Sequence, residues 1–256
     1  MHSNKSQSRY HRQIIFSGLG EEGQAKLGQA KIAQVGCGGL GSILAQCMVR
    51  AGVGKLTIID PDIVDITNLH RQSLFDEQDV RKKTKKAIAA EKKLKEVNSD
   101  IKIEGIADAF SAFNSQKLLS GHDLVLDGTD NMKTRYIIND WCVKNNIPWI
   151  YGGVMEAMGM TMVILPGKGP CLRCLFSETG LAGEAESTGI AGIINTAPTL
   201  IAALQVTEAM KLILNSPDLV RDLRIIDLWS GDYQKIPIKR NPQCPCCVKQ
   251  QFTFLE

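Results

Sequence analysis

The stretch Lys31-Ile-Ala-Gln-Val-Gly36-Cys-Gly38-Gly39-Leu-Gly41 decides the fold. It places the pattern GxGxxG directly after a predicted strand and before a predicted helix, where glycines allow a sharp turn and a close approach of backbone to phosphate. Asp60 ends the next predicted strand nineteen residues beyond Gly41. A carboxylate at that position can accept hydrogen bonds from ribose hydroxyls. The combination predicts a binding site for an adenosine nucleotide.

Outward from this stretch, short apolar runs alternate with longer amphipathic segments. The predicted strands are Lys31–Val35, Leu56–Asp60, Ile101–Ile106, Leu124–Asp127 and Ile147–Tyr151. The predicted helices are Leu40–Ala51, Asp79–Val97, Ser111–Leu119 and Asn131–Lys144. This alternation is typical of an α/β fold of the Rossmann-like kind, with a mostly parallel sheet and helices on both faces.

The pattern changes after residue 153. Gly159–Leu165 is predicted to be extended, Pro198–Leu214 to be a long helix, and Leu223–Trp229 to form a hairpin with Gln234–Ile238. We therefore expect an antiparallel extension after the parallel part of the sheet.

Composition excludes several classes of protein. The chain has 256 residues, 44% hydrophobic and 22% charged, with a net charge of +3, which excludes a disordered chain and gives no reason to expect nucleic acid as a partner. Polar residues interrupt the apolar region 189–214, so we expect a buried or interface helix and no membrane span. The N-terminal residues lack the apolar stretch of a signal peptide, which favours a cytoplasmic protein with reduced thiols.

Two of the cysteine spacings are typical of a metal site. Cys171-x-x-Cys174 and Cys244-x-x-Cys247 can supply four thiolates to one Zn²⁺ ion. A closed site of this kind leaves no open coordination position, so the predicted role is structural. Cys246 is interpreted as a spare thiol.

The glycine pattern alone does not distinguish ATP from NAD, because both present a ribose beside phosphates. The segment Asn68-Leu-His-Arg71-Gln72 follows the second predicted strand by about ten residues. An arginine at this place suits a polyphosphate, whereas a dehydrogenase has no general need for one. ATP is therefore the favoured ligand, and an NAD-dependent oxidoreductase remains the alternative.

Five motifs in order resemble the ThiF/MoeB/HesA family, the bacterial relatives of ubiquitin-activating enzymes. They are GCGGLG at 36–41, Asp60-Pro-Asp62, the segment 68–72, Asp127-Gly-Thr-Asp130-Asn131 and the two cysteine pairs. The resemblance runs from Arg9 to Cys247. It implies an adenylyltransferase that uses Mg-ATP to adenylate the C-terminal glycine of a ubiquitin-like sulfur carrier protein of the MoaD or ThiS type, ending in Gly-Gly, for molybdopterin or thiamine biosynthesis.

The resemblance also implies a role for each motif residue. Asp60 would bind the ribose, and Asn68, Arg71 and Gln72 would lie around the phosphates. Asp130 would hold Mg²⁺, while Arg12 would reach into the other active site of a homodimer. The residues expected to contact the nucleotide are Gly36, Gly38, Gly39, Gly41, Asp60, Asp62, Asn68 and Gln72. The residues expected to act in catalysis are Arg12, Arg71, Lys86 and Asp130.

The phosphate-binding lysine of the family is displaced in this chain, because Thr84 occupies its usual place. Counting back from Asn98 along a helix 86–97 selects Lys86, with an insertion of two residues in the loop 81–85. Lys86 is the predicted lysine and Lys85 the second choice.

The loop after the first cysteine pair carries no cysteine between residues 177 and 189. Because some relatives use such a cysteine for a covalent link, its absence favours a chain that only adenylates and relies on a separate sulfurtransferase. The Gly-Gly tail of the carrier is expected to pass beside Gly152-Gly153 and the loop 180–192.

The predicted organisation is one continuous domain with three regions. These are an N-terminal arm and helix (1–30), a Rossmann-like ATP-binding region (31–153), and a region for carrier binding, dimerisation and zinc (154–256). No Ser/His/Asp arrangement is visible, and His122 is interpreted as a surface or turn residue. A non-catalytic carrier-binding scaffold is a second alternative, and the displaced lysine alone encourages it.

Overall fold

The structure, a computed structural model, describes residues 3–176 and 192–256, with side chains from Arg9 onward. The strands are β1 Lys31–Val35, β2 Lys55–Ile59, β3 Lys102–Ile106, β4 Leu124–Asp127, β5 Trp149–Met155, β6 Met158–Ile164, β7 Leu223–Asp227 and β8 Asp232–Ile236. The helices are α1 Ser3–Ile14, α2 Gly20–Leu27, α3 Gly39–Ala51, α4 Glu77–Arg81, α5 Lys86–Val97, α6 Ala112–Leu119, α7 Met132–Asn145, α8 Leu172–Leu175 and α9 Thr196–Leu214.

All eight strands form one sheet in the order β3-β2-β1-β4-β5-β6-β7-β8. The pairs from β3 to β5 are parallel, and the pairs from β5 to β8 are antiparallel. The predicted α/β class with a mostly parallel sheet and an antiparallel extension is therefore confirmed. Strand order reverses between β1 and β4, and ligands of open α/β sheets bind at such a switch point. The predicted division into three regions stays a prediction; its boundary after residue 153 falls inside β5.

Neighbouring residues of β1 supply two separate cores. Ile32 packs into a cluster with α3, α5 and α9 on one face of the sheet. Ala33 and Val35 pack into a second cluster with α6, α7 and the C-terminal cysteines on the other face. This alternation follows from the two-residue period of a strand, and it shows that both faces of the parallel sheet are covered.

The predicted helix 79–97 is wrong as a single helix. Asp76 and Asp79 form a capping box that starts the short α4, and Lys83 then adopts a left-handed conformation with φ of 50°. Lys85 pairs in antiparallel fashion with Ile63 before α5 begins. This break lies in the segment where the sequence indicated an insertion, and it brings the start of α5 beside the end of β2.

Helix α9 is long and apolar enough, by length and composition, to cross a membrane. In the structure it packs against α3 and against strands β5 and β6. Its Glu208 is fully buried, with Oε1 lying 3.0 Å from Nη1 of Arg224. A buried ion pair with a strand of the same sheet identifies α9 as an interior helix, as the sequence predicted for a buried or interface helix.

The prediction of a turn for His122 is confirmed, because its N–H donates to the carbonyl oxygen of Leu119 at 3.4 Å, but the prediction of a surface position is wrong. The residue is buried just before β4, with Nδ1 3.2 Å from the carbonyl oxygen of Leu119 and Nε2 2.9 Å from Oγ1 of Thr57. Burial lowers the pKa of His122. It lies at the amino end of the parallel strands, opposite the edge that carries the site described next.

Candidate functional site

The glycine turn between β1 and α3 depends on close backbone contacts. A Cβ atom on Gly41 would lie 2.1 Å from the carbonyl oxygen of Gly36, and one on Gly36 would lie 2.5 Å from that of Gly128. Gly36 also has a φ of +91°, which side chains of L-residues rarely adopt. A Cβ on Gly38 would have open space, with its nearest neighbour 3.8 Å away. Gly36 and Gly41 therefore close the turn, while Gly38 leaves a cradle in which a ligand can approach the backbone.

The turn ends at the N-terminus of α3, where no side chain caps the helix. The first backbone N–H groups of a helix lack partners within the helix, and together with the helix dipole they attract anions. The residues present therefore fit a phosphate group at this point.

Gln34 supports the turn through side-chain hydrogen bonds, and sequence reasoning missed this residue. The residue is fully buried in β1, and its Nε2 donates hydrogen bonds of 2.9 Å to the carbonyl oxygens of both Gly36 and Gly41. A signal was present in the sequence, because a polar residue inside an apolar strand must find buried partners. Gln34 fixes the two ends of the turn relative to each other.

Asp60 at the end of β2 is held by the backbone around it. Its carboxylate accepts hydrogen bonds from the N–H groups of Cys37 at 2.6 Å and Asp62 at 2.9 Å. Burial raises the pKa of Asp60, an effect that the charge of Lys86 and these two hydrogen bonds oppose. Asp60 lines the pocket beside the turn.

Lys86 begins α5 and its ammonium group reaches the same pocket. Its Nζ lies 2.8 Å from Oδ2 of Asp62, and the residue is only 5% exposed. Lys85, the second choice, has Nζ on the carbonyl oxygen of Pro61 at 2.6 Å and does not line the pocket. Of the two lysines, Lys86 is the one that the structure brings to the site.

The segment 68–72 forms a second wall. Arg71 donates from Nη2 to Oδ1 of Asn68 at 2.6 Å. Gln72 is 2% exposed, and its Oε1 has no hydrogen-bond partner among the described residues. A buried polar atom without a partner beside an open glycine cradle is consistent with a missing polar ligand.

The third wall is the segment that follows β4 and leads into α7. Asp130 is exposed at the pocket, 3.4 Å from Nδ2 of Asn131, which caps the helix. Behind it lies a buried ion pair that sequence reasoning missed, with Nε of Arg135 3.1 Å from Oδ2 of Asp127. Arg135 also donates from Nη2 to the carbonyl oxygens of Thr129 and Gly152. An exposed carboxylate such as Asp130 suits Mg²⁺, while Asp127 is already occupied by the protein.

These walls enclose a pocket of about 600 Å³ at the carboxyl ends of the parallel strands. The predicted residues that line it are Gly36, Gly38, Gly39, Asp60, Asp62, Asn68, Arg71, Gln72, Lys86 and Asp130. Gly41 does not line it but closes the turn. Arg12 is exposed on α1 and lies outside the pocket of its own chain. Lining residues that sequence reasoning missed include Ile59, Phe110, Thr129, Thr134 and Glu156.

Of the described residues expected to line the groove, Gly192 lines the pocket but neither Gly152 nor Gly153 does. Both glycines are buried, and a Cβ on Gly152 or Gly153 would lie within 2.6 Å of the side chain of Gln205 or Tyr151, respectively. The pocket wall is formed instead by the next residues of β5 and the following turn, Val154, Met155 and Glu156. Of the loop expected to complete the groove, residues 180–191 lie outside the described residues.

The four predicted zinc ligands converge on one point. The Sγ atoms of Cys171, Cys174, Cys244 and Cys247 all lie within 4.8 Å of one another. Thiolates around one tetrahedral Zn²⁺ ion are about 3.8 Å apart, given a Zn–S distance of about 2.3 Å. The observed separations of 3.6 Å for Cys171 with Cys244 and 3.4 Å for Cys174 with Cys247 fit such an ion. Cys246 is buried outside this group.

The ThiF family matches residues 10–246 of the chain. The sulfur carrier protein ThiS adenylyltransferase of Bacillus subtilis is 39% identical over 249 residues, which cover 96% of this chain and 73% of the relative. The sulfur carrier protein adenylyltransferase of Thermus thermophilus is 36% identical, over 93% of this chain and 90% of the relative. The predicted enzyme class, an adenylyltransferase, matches both names.

Solved structures agree at the level of the fold. The crystal structure of E. coli MccB with MccA-N7isoAsn has a TM-score of 0.83 and 24% identity, and covers 96% of this chain and 76% of that one. The sheet with its switch-point pocket, the cysteine cluster and the match over nearly the whole sequence lead to one conclusion. The chain belongs to the ThiF family.

Proposed function

We propose that this chain adenylates the C-terminal glycine carboxylate of a ubiquitin-like sulfur carrier protein with Mg-ATP. The observation that carries the proposal is the single pocket that brings Asp60, Arg71, Lys86 and Asp130 together at the switch point of the sheet. In the reaction, a carboxylate oxygen of the carrier forms a bond to the α-phosphorus. The bond between that phosphorus and the bridging oxygen breaks, and pyrophosphate leaves with the electron pair.

The pocket residues suit this chemistry because it needs alignment and positive charge. A carboxylate is already ionised at pH 7, so no general base is required. Asp60 would orient the ribose, and Arg71 with Lys86 would stabilise the charge that develops on pyrophosphate. Asp130 would hold Mg²⁺, which neutralises charge on the phosphates.

Lys86 is paired with Asp62 in the structure, which shapes its expected role. An ammonium group that is 5% exposed keeps its position through this pair at 2.8 Å. Asp62 is exposed and can rotate away, which would free Lys86 for a phosphate oxygen. Asp62 is thus proposed to hold the lysine ready before the nucleotide binds.

Arg12 is proposed to act in the pocket of a partner subunit. It is exposed on α1 and does not line the pocket of its own chain, which leaves its side chain accessible to a partner subunit. A homodimer with shared sites predicts that two subunits inactivated at different residues complement each other. Mixing Arg12→Ala with Asp130→Ala should restore one intact site per mixed dimer, and no recovery of activity would overturn the shared site.

The carrier is proposed to be of the ThiS or MoaD type, serving thiamine or molybdopterin biosynthesis, with a separate sulfurtransferase that delivers sulfur. The name of the Bacillus subtilis relative supports ThiS as the first candidate. The absence of cysteine between residues 177 and 189 supports the separate sulfur donor. A cytoplasmic location fits such a pathway and is part of the proposal.

Two alternatives make different predictions. An NAD-dependent oxidoreductase would bind reduced nicotinamide and would not need Arg71 or Lys86 in the pocket. The displaced lysine is the feature that favours a non-catalytic scaffold, whereas the position of Lys86 in the pocket lining supports a catalytic protein.

ATP–pyrophosphate exchange separates the three possibilities. Purified protein with Mg²⁺ and labelled pyrophosphate is assayed with Bacillus subtilis ThiS, with a MoaD-type carrier, and with each carrier lacking its last glycine. We expect exchange only with an intact carrier, and a mass increase of the carrier equal to AMP less one water. Tight binding of reduced nicotinamide without any exchange would overturn the proposal.

A further inference from the structure

The side chain of Asn139 bonds to both of the chain segments that carry the clustered cysteines, 171–174 and 244–247. The residue lies in the middle of α7 and is fully buried. Its Oδ1 accepts a hydrogen bond of 2.9 Å from the N–H of Leu172, which lies between the first two cysteines. Its Nδ2 donates at 3.3 Å to Sγ of Cys246, which lies between the second two. The carboxamide therefore bridges two segments that are more than seventy residues apart in sequence.

The next residue on the helix reinforces this attachment. Oδ2 of Asp140 lies 2.9 Å from Nη1 of Arg173 in the first segment, and accepts a hydrogen bond of 3.3 Å from the N–H of Phe254 near the C-terminus. Nδ2 of Asn139 also lies 3.2 Å from Oδ1 of Asp140. Both cysteine segments are thus fastened to α7 by the protein alone.

The same helix begins at the nucleotide pocket. Asn131 caps it beside Asp130, and Arg135, one turn before Asn139, bonds to Asp127 and to Gly152. With a rise of about 1.5 Å per residue, Asn139 is about 12 Å along the helix from Asn131. One rigid element therefore connects the proposed metal site to the pocket wall.

We propose that Asn139 is a positioning residue of the zinc site. It sets the two cysteine segments in register before Zn²⁺ binds, and it fixes them to the helix that begins two residues after Asp130. Cys246 takes part in this arrangement, because its Sγ accepts the hydrogen bond from Nδ2 of Asn139. It is therefore more than the spare thiol that the sequence suggested, although it is not a zinc ligand.

The physical reason is the organisation of ligands that lie far apart in the chain. Hydrogen bonds outside the coordination sphere orient metal ligands, and their loss typically costs 10–100-fold in metal affinity. Without the carboxamide, the buried N–H of Leu172 would also lose its acceptor. Both effects act on the stability of the metal complex, independently of the adenylation proposed above.

The test measures zinc release from the zinc-loaded protein in the presence of an excess of a chromogenic chelator. The variants are Asn139→Ala, which removes all three side-chain hydrogen bonds, and Asn139→Asp, which keeps the acceptor for Leu172 and removes the donor to Cys246 and Asp140. We expect zinc release to be about 10-fold to 100-fold faster in both. Asn145→Ala and Asn145→Asp are controls on the same helix, because the side chain of Asn145 bonds to the carbonyl oxygen of Trp141 at 2.8 Å and to no cysteine segment among the described residues. Their release rates should stay within about twofold of the wild type.

Cys246 supplies a second test that does not depend on folding of the Asn139 variants. Cys246→Ser retains an acceptor for Nδ2 and should release zinc at nearly the wild-type rate, whereas Cys246→Ala should release it faster. In the Cys246→Ala background, Asn139→Asp should add less than it does alone. The proposal would be overturned if Asn139→Ala released zinc at the wild-type rate, or if the Asn145 variants released it as fast as the Asn139 variants. Equal zinc-release rates for Cys246→Ser and Cys246→Ala would also overturn it. Carrier adenylation enters none of these measurements, so the two proposals fail separately.

Discussion

The ammonium nitrogen of Lys86 lies 2.8 Å from Oδ2 of Asp62, joining the start of α5 to the residues that follow β2. Backbone contacts hold the same junction, because the N–H of Lys86 donates to the carbonyl oxygen of Asp62 at 2.8 Å. The break before α5 is what allows both contacts, since it turns Lys86 toward the pocket and Lys85 away from it.

Replacing Lys86 should therefore impair catalysis far more than replacing Lys85. We expect Lys86→Met to lower carrier-dependent ATP–pyrophosphate exchange about 100-fold or more, because a charge that faces the phosphates is lost. Lys85→Met removes an exposed ammonium group that bonds to Pro61 and should change the rate less than about threefold. Equal losses in the two variants would contradict the assignment.

Alanine at Gly41 should impair folding, whereas alanine at Gly38 should impair ATP binding. Gly41→Ala places a methyl group 2.1 Å from a carbonyl oxygen and should destabilise the fold by about 3 kcal/mol or more. Gly38→Ala meets no close atom and should fold normally. It should nevertheless raise the KM for ATP about tenfold, equivalent to about 1.4 kcal/mol, because the methyl group occupies the cradle. Urea unfolding and exchange kinetics on both variants check this, and a stable Gly41→Ala protein would disprove it.

Asp130 should govern the dependence on magnesium. Asp130→Asn keeps the shape of the side chain but removes its charge, so exchange at low Mg²⁺ should fall below detection and recover only partly at high Mg²⁺. The control is Asp218→Asn, an exposed aspartate outside the pocket. A magnesium titration of exchange compares the two, and an unchanged half-saturating concentration in Asp130→Asn would rule out this ligand.

Serine at any one of the four clustered cysteines should abolish stoichiometric zinc binding. We expect one zinc per wild-type chain, and a melting temperature lower by about 10 °C or more in each variant, because binding of a structural metal contributes to folding. Cys47→Ser, a half-buried cysteine outside the cluster, should keep its zinc. Elemental analysis with thermal unfolding provides the measurement, and a variant that retains both zinc and stability would exclude that cysteine as a ligand.

Stability should fall on mild acidification because of His122. Burial lowers its pKa in the folded protein, with Lys55 adding to that effect and Glu104 and Asp123 opposing it. The unfolded chain, with a pKa of about 6.5, then binds the proton more readily, so stability is lost as the pH falls through that value. The slope is at most about 1.4 kcal/mol per pH unit.

Urea unfolding at pH 7.5 and pH 5.5 isolates this contribution. The loss of unfolding free energy between the two pH values should be larger in the wild type than in His122→Gln, whose side chain does not titrate. If the two proteins lose the same amount, the histidine makes no such contribution.

Much of the fold was visible in the sequence because its signals are local. The strand 31–35 and the strand 124–127 were predicted to the residue, and most of the other elements agree within two residues at each end. Apolar periodicity depends on neighbouring residues, and a glycine turn depends on the backbone of six consecutive ones. The two cysteine pairs could also be recognised from the sequence, because the spacing within each pair is short and typical of ligands to one zinc ion.

The sequence by itself therefore determined the α/β class, the place of the pocket and ten of the residues that line it. The sequence placed Lys86 ahead of Lys85, and the tertiary structure decided between them, because Lys86 reaches Asp62 and Lys85 reaches the carbonyl oxygen of Pro61, each across 24 residues. It also decided that Gln34 braces the turn, that Asp127 pairs with Arg135, and that Asn139 bridges the cysteine segments. Asn139 finds its partners 33 and 107 residues away in the sequence. Gln34 and Asp127 find theirs within eight residues, but the folded path of the turn and of the start of α7 makes these contacts, which no apolar periodicity encodes.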